Sequence, residues 1–431
     1  MVLGAHSVAD LAAAPSARAC LDWFRRERVW INEQHLKLCR IPAPTFFEQK
    51  RAEWMADQFR SLGWDAKIDR AGNVIASLSG QRDPGGVAVT AHLDTVLAPR
   101  SPQDIKIAGD GRLLGPGVSD NGAGLAGLLA LAAAWRTAPP LEDPALAPAL
   151  VANVGEEGEG NLSGMRYLCR GSQSSRWRAF LVLDGPRTDH ITCQALASRR
   201  FEVTITGPGG HSWSDYGTGN PVHALSRAIT LFTDQAPGFA DPASNGNGPR
   251  CSFNFGLIEG GSSINSIPSE AHAKVDLRSE SAERIESMAA QLASAVERAI
   301  EIENAHSAEG RNHRPAATGS TAQAFPGRSA AGRTVAGRVR EIGSRPGGAL
   351  REDSPILECL RAVDTHLGIR HHMDCSSTDA NIPLSLGLQA VSIGAGGQGG
   401  GAHTAAEWFQ PDGRELGLRR VVLTLCLLVA G

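Results

Sequence analysis

The sequence predicts an α/β fold in which a mostly parallel central sheet is flanked by helices and interrupted by a smaller α+β domain. In the first part of the chain, short apolar segments alternate with helical stretches, a pattern typical of a parallel, buried sheet. These segments are 73–78, 86–96, 147–154 and 179–183. From residue 198 the strands alternate apolar and polar side chains, and apolar segments return after residue 346. We therefore expect one domain formed by 1–197 and 346–431, and an inserted domain formed by 198–345.

Helices are predicted before, between and after these strands. Residues 19–64 carry apolar and charged side chains at helical spacing, with a proline break after Ile41. Residues 123–135 form an Ala/Leu helix between two strands, and Asp353–Leu367 form another helix in the returning segment. The apolar segment Val421–Ala430 falls short of the roughly 20 residues that cross a bilayer. It is predicted to be a buried strand or helix.

The inserted domain is predicted to be an open sheet with helices on one face. Residues 271–277 place apolar side chains on one strand face and charged side chains on the other. Residues 285–300 carry an apolar stripe at helical spacing, which we interpret as core packing. The other elements of this domain are strands at 201–206 and 252–258 and a helix at 222–232. The aperiodic segment 303–334 is predicted to be a flexible surface loop.

The composition and the net charge limit the kinds of molecule that the protein is expected to bind. Apolar residues make up 42% and charged residues 20% of the 431 residues, as in an ordinary globular protein. Lys and Arg number 42 against 45 Asp and Glu, and the net charge of −3 gives no electrostatic case for a nucleic acid or an acidic membrane. The eight cysteines are scattered without a CxxC pair, which favours reduced thiols and a cytoplasmic location.

Two patterns in the first half of the chain carry metal-competent side chains. His92 and Asp94 project to one side of a strand, so Asp94 can accept a hydrogen bond from His92 and orient its imidazole on a metal. A surface histidine beside a carboxylate is the alternative. Asp120 lies in the glycine-rich segment 115–124, where its charge opposes phosphate binding. The segment suits a carboxylate that is shared between two cations better than it suits a phosphate site. A role of Asp120 as the cap of the following helix is compatible with either.

Three further patterns follow the same logic. Glu156 and Glu157 end one apolar segment, Asp184 ends another, and His403 lies in a glycine-rich segment. Adjacent side chains leave the backbone in different directions, so one glutamate can bind a metal while the other faces substrate. The alternative is that both glutamates lie on a solvated surface. Together the five patterns supply two histidines, three carboxylate ligands and one spare glutamate. That set suits two zinc ions about 3.5–4 Å apart, bridged by a carboxylate and a water.

In this order and with these neighbours, the motifs resemble the co-catalytic di-zinc peptidase and deacylase family. It includes peptidase T, glutamate carboxypeptidase, aminoacylase, acetylornithine deacetylase and succinyl-diaminopimelate desuccinylase. The resemblance extends over nearly the whole chain from about residue 20, and Ser376–Asn381 and 394–401 look most like the peptidase-T-like branch. It implies a di-zinc exopeptidase-type catalytic domain with an inserted lid domain that mediates dimerisation.

The resemblance also implies a role for each matched residue. The implied metal ligands are His92 and Asp184 for one ion, Glu157 and His403 for the other, and Asp120 as the bridge. Glu156 matches the general base of the family. Asp94 matches a residue that contacts a metal-binding side chain without binding the metal itself. The implied cofactor is two Zn²⁺ per subunit, with Co²⁺ or Mn²⁺ as alternatives.

The inserted domain and the last segment contain further matches. His211 in Gly209–Ser212 matches a histidine that reaches an active site, typically that of the partner subunit, and stabilises the oxyanion. Asn265 matches a substrate-contacting asparagine, and Ser377 and Thr378 match a substrate-binding segment. Arg278 matches a position that receives a substrate carboxylate, which arginine binds bidentately. A surface ion pair of Arg278 with Asp276 or Glu280 is its alternative.

Together with these residues, the resemblance implies a metal-dependent hydrolase that cleaves an amide bond of short peptides, as a di- or tripeptidase, a carboxypeptidase or an aminopeptidase, with Glu156 as general base. An N-acyl-amino-acid deacylase is the first alternative, because both substrates present an amide beside a carboxylate. A non-catalytic, metal-stabilised binding protein is a distant alternative. The expected partners are a peptide or N-acyl amino acid and a second subunit, bound through the lid domain, but no nucleic acid and no membrane.

Overall fold

The computed structural model describes residues 7–78, 86–141, 143, 146–171, 176–235, 249–309 and 332–430. The chain divides into two compact units. Unit 1 comprises Met1–Ala195 and Arg345–Gly431, and unit 2 comprises Leu196–Ser344.

Eleven helices lie in the described residues. They are α1 (Val8–Ala13), α2 (Pro15–Arg26), α3 (Arg28–Cys39), α4 (Gln49–Ser61), α5 (Gly122–Thr137), α6 (Ser163–Leu168), α7 (Pro221–Asp234), α8 (Ala282–Glu309), α9 (Pro355–Leu367), α10 (Asn381–Ser385) and α11 (Arg414–Ala430). The apolar C-terminal segment is therefore part of a helix. Short 3-10 turns occur at Pro102–Asp104 and Gly158–Gly160.

The strands of unit 1 are β1 (Trp64–Ile68), β2 (Val74–Leu78), β3 (Gly86–His92), β4 (Lys106–Ile107), β5 (Leu113–Leu114), β6 (Ala149–Asn153), β7 (Trp177–Leu183), β8 (His190–Ala195), β15 (Gly348–Ala349), β16 (His372–Ser376), β17 (Gln389–Ile393), β18 (Gln398–Gly400) and β19 (Trp408–Gln410). Those whose residues lie wholly or mostly in unit 2 are β9 (Ala197–Thr206), β10 (Gly210–His211), β11 (Cys251–Gly260), β12 (Ser266–Ile267), β13 (Glu270–Ser279) and β14 (Ala336–Arg345).

The main sheet of unit 1 has nine strands in the order β1-β2-β6-β3-β7-β17-β8-β15, with β16 paired to β8. Its centre is parallel, since β3 pairs in parallel with both β6 and β7, and β17 pairs in parallel with β7. Helix α5 is almost entirely buried, as an Ala/Leu composition requires when both sides are covered. The predicted α/β class is confirmed.

Unit 2 is built on a four-stranded sheet in the order β11-β13-β9-β14. Strand β13 buries Ala271, Ala273, Val275 and Leu277 and leaves the side chains between them half-buried or exposed. Helices α7 and α8 contribute to the same apolar core, which includes Met288 and Leu292 of the predicted stripe. This arrangement confirms the predicted alternation of the strand and the core-packing role of the stripe.

The predicted loop 303–334 begins too early. Helix α8 continues to Glu309, because its last turns have partners in unit 2. The carboxylate of Glu303 accepts the N–H of Asn220 at 2.9 Å, and the side chain of Asn304 bonds to both the N–H and the carbonyl of Val335. Periodicity could not reveal these contacts, and residues 310–331 of the predicted loop lie outside the described residues.

None of the helices in the described residues is both long and apolar enough to cross a membrane. All eight cysteines are free thiols, as their scattered positions predict.

Candidate metal centre

Three adjacent strands deliver the first candidate ligands to one edge of the main sheet. Strands β6, β3 and β7 are neighbours and parallel, so their carboxyl ends meet at the same edge. His92 is the last residue of β3, Glu157 follows β6, and Asp184 directly follows β7. The edge of the sheet where parallel strands end is the usual place for a site in such folds.

Asp120 reaches this edge from the turn before α5. The next residue, Asn121, caps the helix by accepting the N–H of Gly124 at 3.1 Å. Its amide nitrogen also donates to the carbonyl of Leu183 at 2.8 Å, which ties the turn to the end of β7. The capping role considered for Asp120 therefore belongs to its neighbour, and the carboxylate of Asp120 is available to the centre.

Asp120 lies between two imidazoles. Its Oδ1 is 3.0 Å from Nε2 of His92, and its Oδ2 is 3.1 Å from Nε2 of His403. His403 Nε2 is also 3.0 Å from Oε1 of Glu157, and His92 Nε2 is 3.9 Å from Oδ1 of Asp184. The structure thus brings together all five residues predicted to bind metal, and each imidazole has one further carboxylate beside the shared one.

The donor set suits metal ions. One ligand atom from each of His92, Asp120 and Glu157 lies within 4.8 Å of the other two. His92 Nδ1 is 3.0 Å from the carbonyl of Asp94, so Nδ1 carries the proton in the neutral ring and Nε2 directs its lone pair at the centre. Imidazole nitrogens and carboxylate oxygens are ligands that zinc accepts.

Asp94 has a wider role than its position two residues after His92 predicts. Its carboxylate is fully buried and accepts the N–H of Glu156 at 3.0 Å, the N–H of Glu157 at 2.9 Å and the hydroxyl of Thr45 at 3.0 Å. Its Oδ1 is 3.5 Å from Nδ1 of His92. Asp94 therefore holds the backbone of both glutamates as well as supporting the imidazole.

The electrostatics of the centre call for positive charge. Burial opposes ionisation of Asp120, but hydrogen bonds from His403 and His92, whose Nε2 atoms donate when the rings are protonated, outweigh it and hold the pKa of Asp120 below its usual range. Burial and the nearby charge of Glu156 raise the pKa of Glu157 to about 7, and burial and the charge of Asp120 raise the pKa of Asp184. The hydrogen bond to Asp120 raises the pKa of His403 to about 9. Divalent cations at this point would relieve the repulsion among the carboxylates.

Glu407 holds the backbone of the turn that carries Asp120. The sequence patterns did not reveal this residue. Its side chain is 2% exposed and accepts the N–H groups of Gly117, Ser119 and Asp120 at 2.7, 2.7 and 2.8 Å. Its only sequence signal is its position four residues after His403. One carboxylate thus fixes the backbone of the turn that carries the shared ligand.

We expect Glu407→Gln to lower zinc affinity about 10–100-fold, the usual effect of removing a group that orients a metal ligand. The glutamine has one acceptor oxygen, and its amide N–H groups would face backbone donors of the turn. Competition against a chromophoric chelator measures the affinity, and Asp412→Asn, at an exposed position nearby in the chain, is the control. An affinity equal to that of the wild type would contradict the role of Glu407.

A buried histidine holds the same turn from its other side. His35 Nε2 lies 2.7 Å from the carbonyl of Val118, and Nη2 of Arg414 lies 2.7 Å from His35 Nδ1. Since a guanidinium only donates, Nδ1 is the acceptor and the proton of the neutral ring is on Nε2. Burial and the charge of Arg414 hold the pKa of His35 well below its ordinary value of 6.5.

This depressed pKa predicts acid sensitivity. Below pH 6.5 the unfolded chain binds a proton at His35 that the folded protein excludes, so the free energy of unfolding decreases as the pH falls. One such group contributes at most about 1.4 kcal/mol per pH unit. In His35→Gln the amide can make both hydrogen bonds without titrating. Urea unfolding of the metal-free proteins from pH 7 to about pH 5 should show a shallower decrease for the variant; equal slopes would refute this.

Arg345 is a further residue of the centre that the sequence patterns did not reveal. Its Nη1 donates to Oε1 of Glu156 at 2.9 Å, and its Nη2 donates to the main-chain carbonyl of Glu156. Both side chains are almost fully buried. Burial raises the pKa of Glu156, and the guanidinium charge opposes that rise.

Three of the residues predicted to bind substrate, Ser377, Thr378 and Arg278, form hydrogen bonds with other residues of their own unit. Ser377 accepts a hydrogen bond from Arg345 at 3.1 Å. Thr378 is buried and shapes a turn, since its hydroxyl accepts the N–H of Ala380 at 3.2 Å and its own N–H donates to Asn381. Within unit 2, Arg278 Nε donates to Asp276 at 2.7 Å, the ion pair considered as its alternative.

His211 and Asn265 are neighbours within unit 2, where β10 pairs with β12 and Ser212 N–H donates to the carbonyl of Asn265 at 2.9 Å. His211 is exposed, and its Nδ1 accepts the N–H groups of Trp213 and Ser214 at 3.2 and 3.4 Å. The neutral ring therefore carries its proton on Nε2 and presents it outward as a donor.

Two family models match the chain. Residues 197–304 match the peptidase dimerisation domain of the M20 family, and residues 73–206 match peptidase family M28. The two matches overlap at residues 197–206, and neither of them alone covers half of the chain. The first covers most of unit 2, and the second covers the strands that carry His92, Glu157 and Asp184.

Similar proteins support the same fold. The uncharacterized protein YqjE of Bacillus subtilis is 24% identical over 277 residues, which are 62% of this chain and 71% of YqjE. The structure of aminopeptidase PepT from Bacillus cereus has a TM-score of 0.65 at 18% identity and covers 93% of this chain and 98% of its own. Human carnosine dipeptidase 1 has a TM-score of 0.66 at 14% identity and covers 96% of this chain and 100% of its own. At such low identity these two structures support the fold alone.

The family matches and the assembled ligands agree with the motifs from which the family was predicted. They make the protein a hydrolase of the metallopeptidase type, with a metal as cofactor. The predicted resemblance to the zinc peptidase families is thereby confirmed: residues 197–304 are similar to the M20 dimerisation domain, and residues 73–206 are similar to peptidase family M28.

Proposed function

We propose that the protein hydrolyses an amide bond of short peptides at a pair of metal ions, with Glu156 as general base. One observation carries the proposal: the carboxylate of Asp120 lies between the imidazoles of His92 and His403, 3.0 and 3.1 Å from their Nε2 atoms. A carboxylate shared in this way is the expected bridge of a two-metal site. Glu156, adjacent in sequence to the candidate ligand Glu157, supplies the group that moves protons.

The proposed ligands are those assembled at the sheet edge: His92 and Asp184 for one ion, Glu157 and His403 for the other, and Asp120 for both. We propose two Zn²⁺ per subunit, with Co²⁺ or Mn²⁺ as functional replacements. When bound, such ions act as Lewis acids on the substrate carbonyl and lower the pKa of water. Zinc content measured by mass spectrometry should approach two per chain.

The proton steps belong to Glu156. Arg345 bonds to its Oε1, and no described residue bonds to Oε2. Oε2 can therefore accept the proton of the attacking water and later deliver it to the leaving amine. The raised pKa of Glu156 suits this exchange, because a base that is too weakly basic would not take the proton.

We propose His211 as a donor to the developing oxyanion. Its Nδ1 is occupied by two backbone N–H groups, so its Nε2–H is the hydrogen-bond donor it presents. The match to a dimerisation domain supports a homodimer, in which this histidine would serve the partner's site.

We also propose Asn265 and Arg278 as substrate contacts. Ser377 and Thr378 were predicted as such contacts, but their bonds favour structural roles.

Short peptides are favoured over N-acyl amino acids because the family models and several similar structures are those of peptidases, including a tripeptidase of Staphylococcus aureus. The test is to incubate the zinc-loaded protein with di- and tripeptides and with N-acetyl and N-succinyl amino acids, and to quantify released amines. Faster release from peptides supports the proposal. Faster release from N-acyl amino acids would favour a deacylase, and no release from any amide would favour a non-catalytic binding protein.

A further inference from the structure

Arg345 holds Glu156 at two points. Its Nη1 donates to the carboxylate Oε1 at 2.9 Å, and its Nη2 donates to the main-chain carbonyl of the same residue. Arg345 is 6% exposed and Glu156 is 5% exposed, so water does not compete for these bonds. Two bonds from one planar group to one residue restrict both the backbone and the side-chain torsions of that residue.

Ser377 completes this arrangement. Its hydroxyl accepts a second hydrogen bond from Nη1 of Arg345 at 3.1 Å, so both hydrogens of Nη1 are used. The guanidinium plane is thereby fixed relative to Glu156 and to Ser377, which are 189 and 32 residues away from Arg345 in the sequence. Ser377 therefore orients Arg345.

We propose that Arg345 is the positioning residue of the general base: it fixes Oε1 of Glu156 so that Oε2 faces the attacking water. This inference rests on the proposed function of Glu156. Without Arg345, the carboxylate could rotate, and displacements of about 1 Å at a reacting group can cost about 10²-fold in rate. Lysine, with a single rotatable ammonium, cannot reproduce a planar two-point contact.

The test compares zinc-loaded wild type, R345M, R345K and S377A on the best substrate of the amide panel. We expect kcat of R345M to fall about 10²-fold with KM and zinc content unchanged. R345K should recover part of the loss, and S377A should lose less than R345M in the same parameter. R351M, at an exposed arginine six residues downstream, is the control and should behave as wild type.

Crystals of the zinc-loaded wild type and R345M supply a readout that needs no turnover. We expect Glu156 to bond to Arg345 in the wild type and its carboxylate to leave that position in R345M. Wild-type kcat in R345M, or an Arg345 turned away from Glu156 in the zinc-loaded wild type, would overturn the inference. Failure of the wild type to cleave any amide would instead overturn the proposed function, while the crystals still decide the position of Glu156.

Discussion

Glu156→Gln is expected to lower kcat about 10³-fold while both zinc ions stay bound, since positioned general bases contribute roughly 10²–10⁴-fold. Glutamine has the same shape and can still accept the hydrogen bond that Arg345 donates to Oε1, so the surroundings should persist. It cannot take a proton from water. Steady-state kinetics on the best peptide, together with zinc content by mass spectrometry, measure the two effects separately.

Glu159→Gln is the matched control, because it makes the same chemical change at an exposed glutamate three residues away. We expect its kcat and zinc content to equal those of the wild type. If Glu156→Gln retained wild-type turnover, the assignment of the base would be wrong. If it lost zinc as well as activity, Glu156 would be a ligand and not the base.

Asp120→Ala is expected to lose zinc from both positions and all measurable activity. Asp120 is the residue that lies within 3.1 Å of both His92 and His403, so its removal takes a ligand from each position at once. The loss of zinc affinity should exceed the roughly 10–100-fold loss that follows removal of a residue that only orients a metal ligand. Zinc titration by calorimetry, with metal content after dialysis, measures it.

Asp110→Ala tests whether this loss is specific, since Asp110 is an exposed aspartate ten residues earlier that pairs with Arg112. The control should bind zinc as the wild type does. Far-ultraviolet circular dichroism of the metal-free proteins separates loss of ligand from loss of fold. Two tightly bound zinc ions in Asp120→Ala would contradict the bridging role.

The ligands could be predicted because each follows a recognisable local pattern. His92, Glu157 and Asp184 end or follow apolar segments, and parallel strands bring such ends to one edge whatever the length of chain between them. Asp120 precedes an Ala/Leu helix whose start is visible in the sequence. The order of these motifs, and not any one of them, indicated the family.

Apart from Asp94, the supporting residues could not be predicted, because their contacts are non-local and leave no periodic trace. Glu407 bonds to a turn nearly 290 residues earlier, and Arg345 bonds to Glu156 from a distance of 189 residues in sequence. A buried Arg51 likewise donates to the carbonyl of Leu93, between His92 and Asp94. Local patterns identify residues at the ends of elements; they do not tell which charged side chain the fold turns inward.

Anomalous diffraction at the zinc edge from crystals of the zinc-loaded protein tests the central claim most directly. We expect two peaks about 3.5–4 Å apart, with the carboxylate of Asp120 between them and His92 and His403 on opposite ions. A single peak, or two peaks that do not share Asp120, would contradict a two-metal centre at this edge of the sheet.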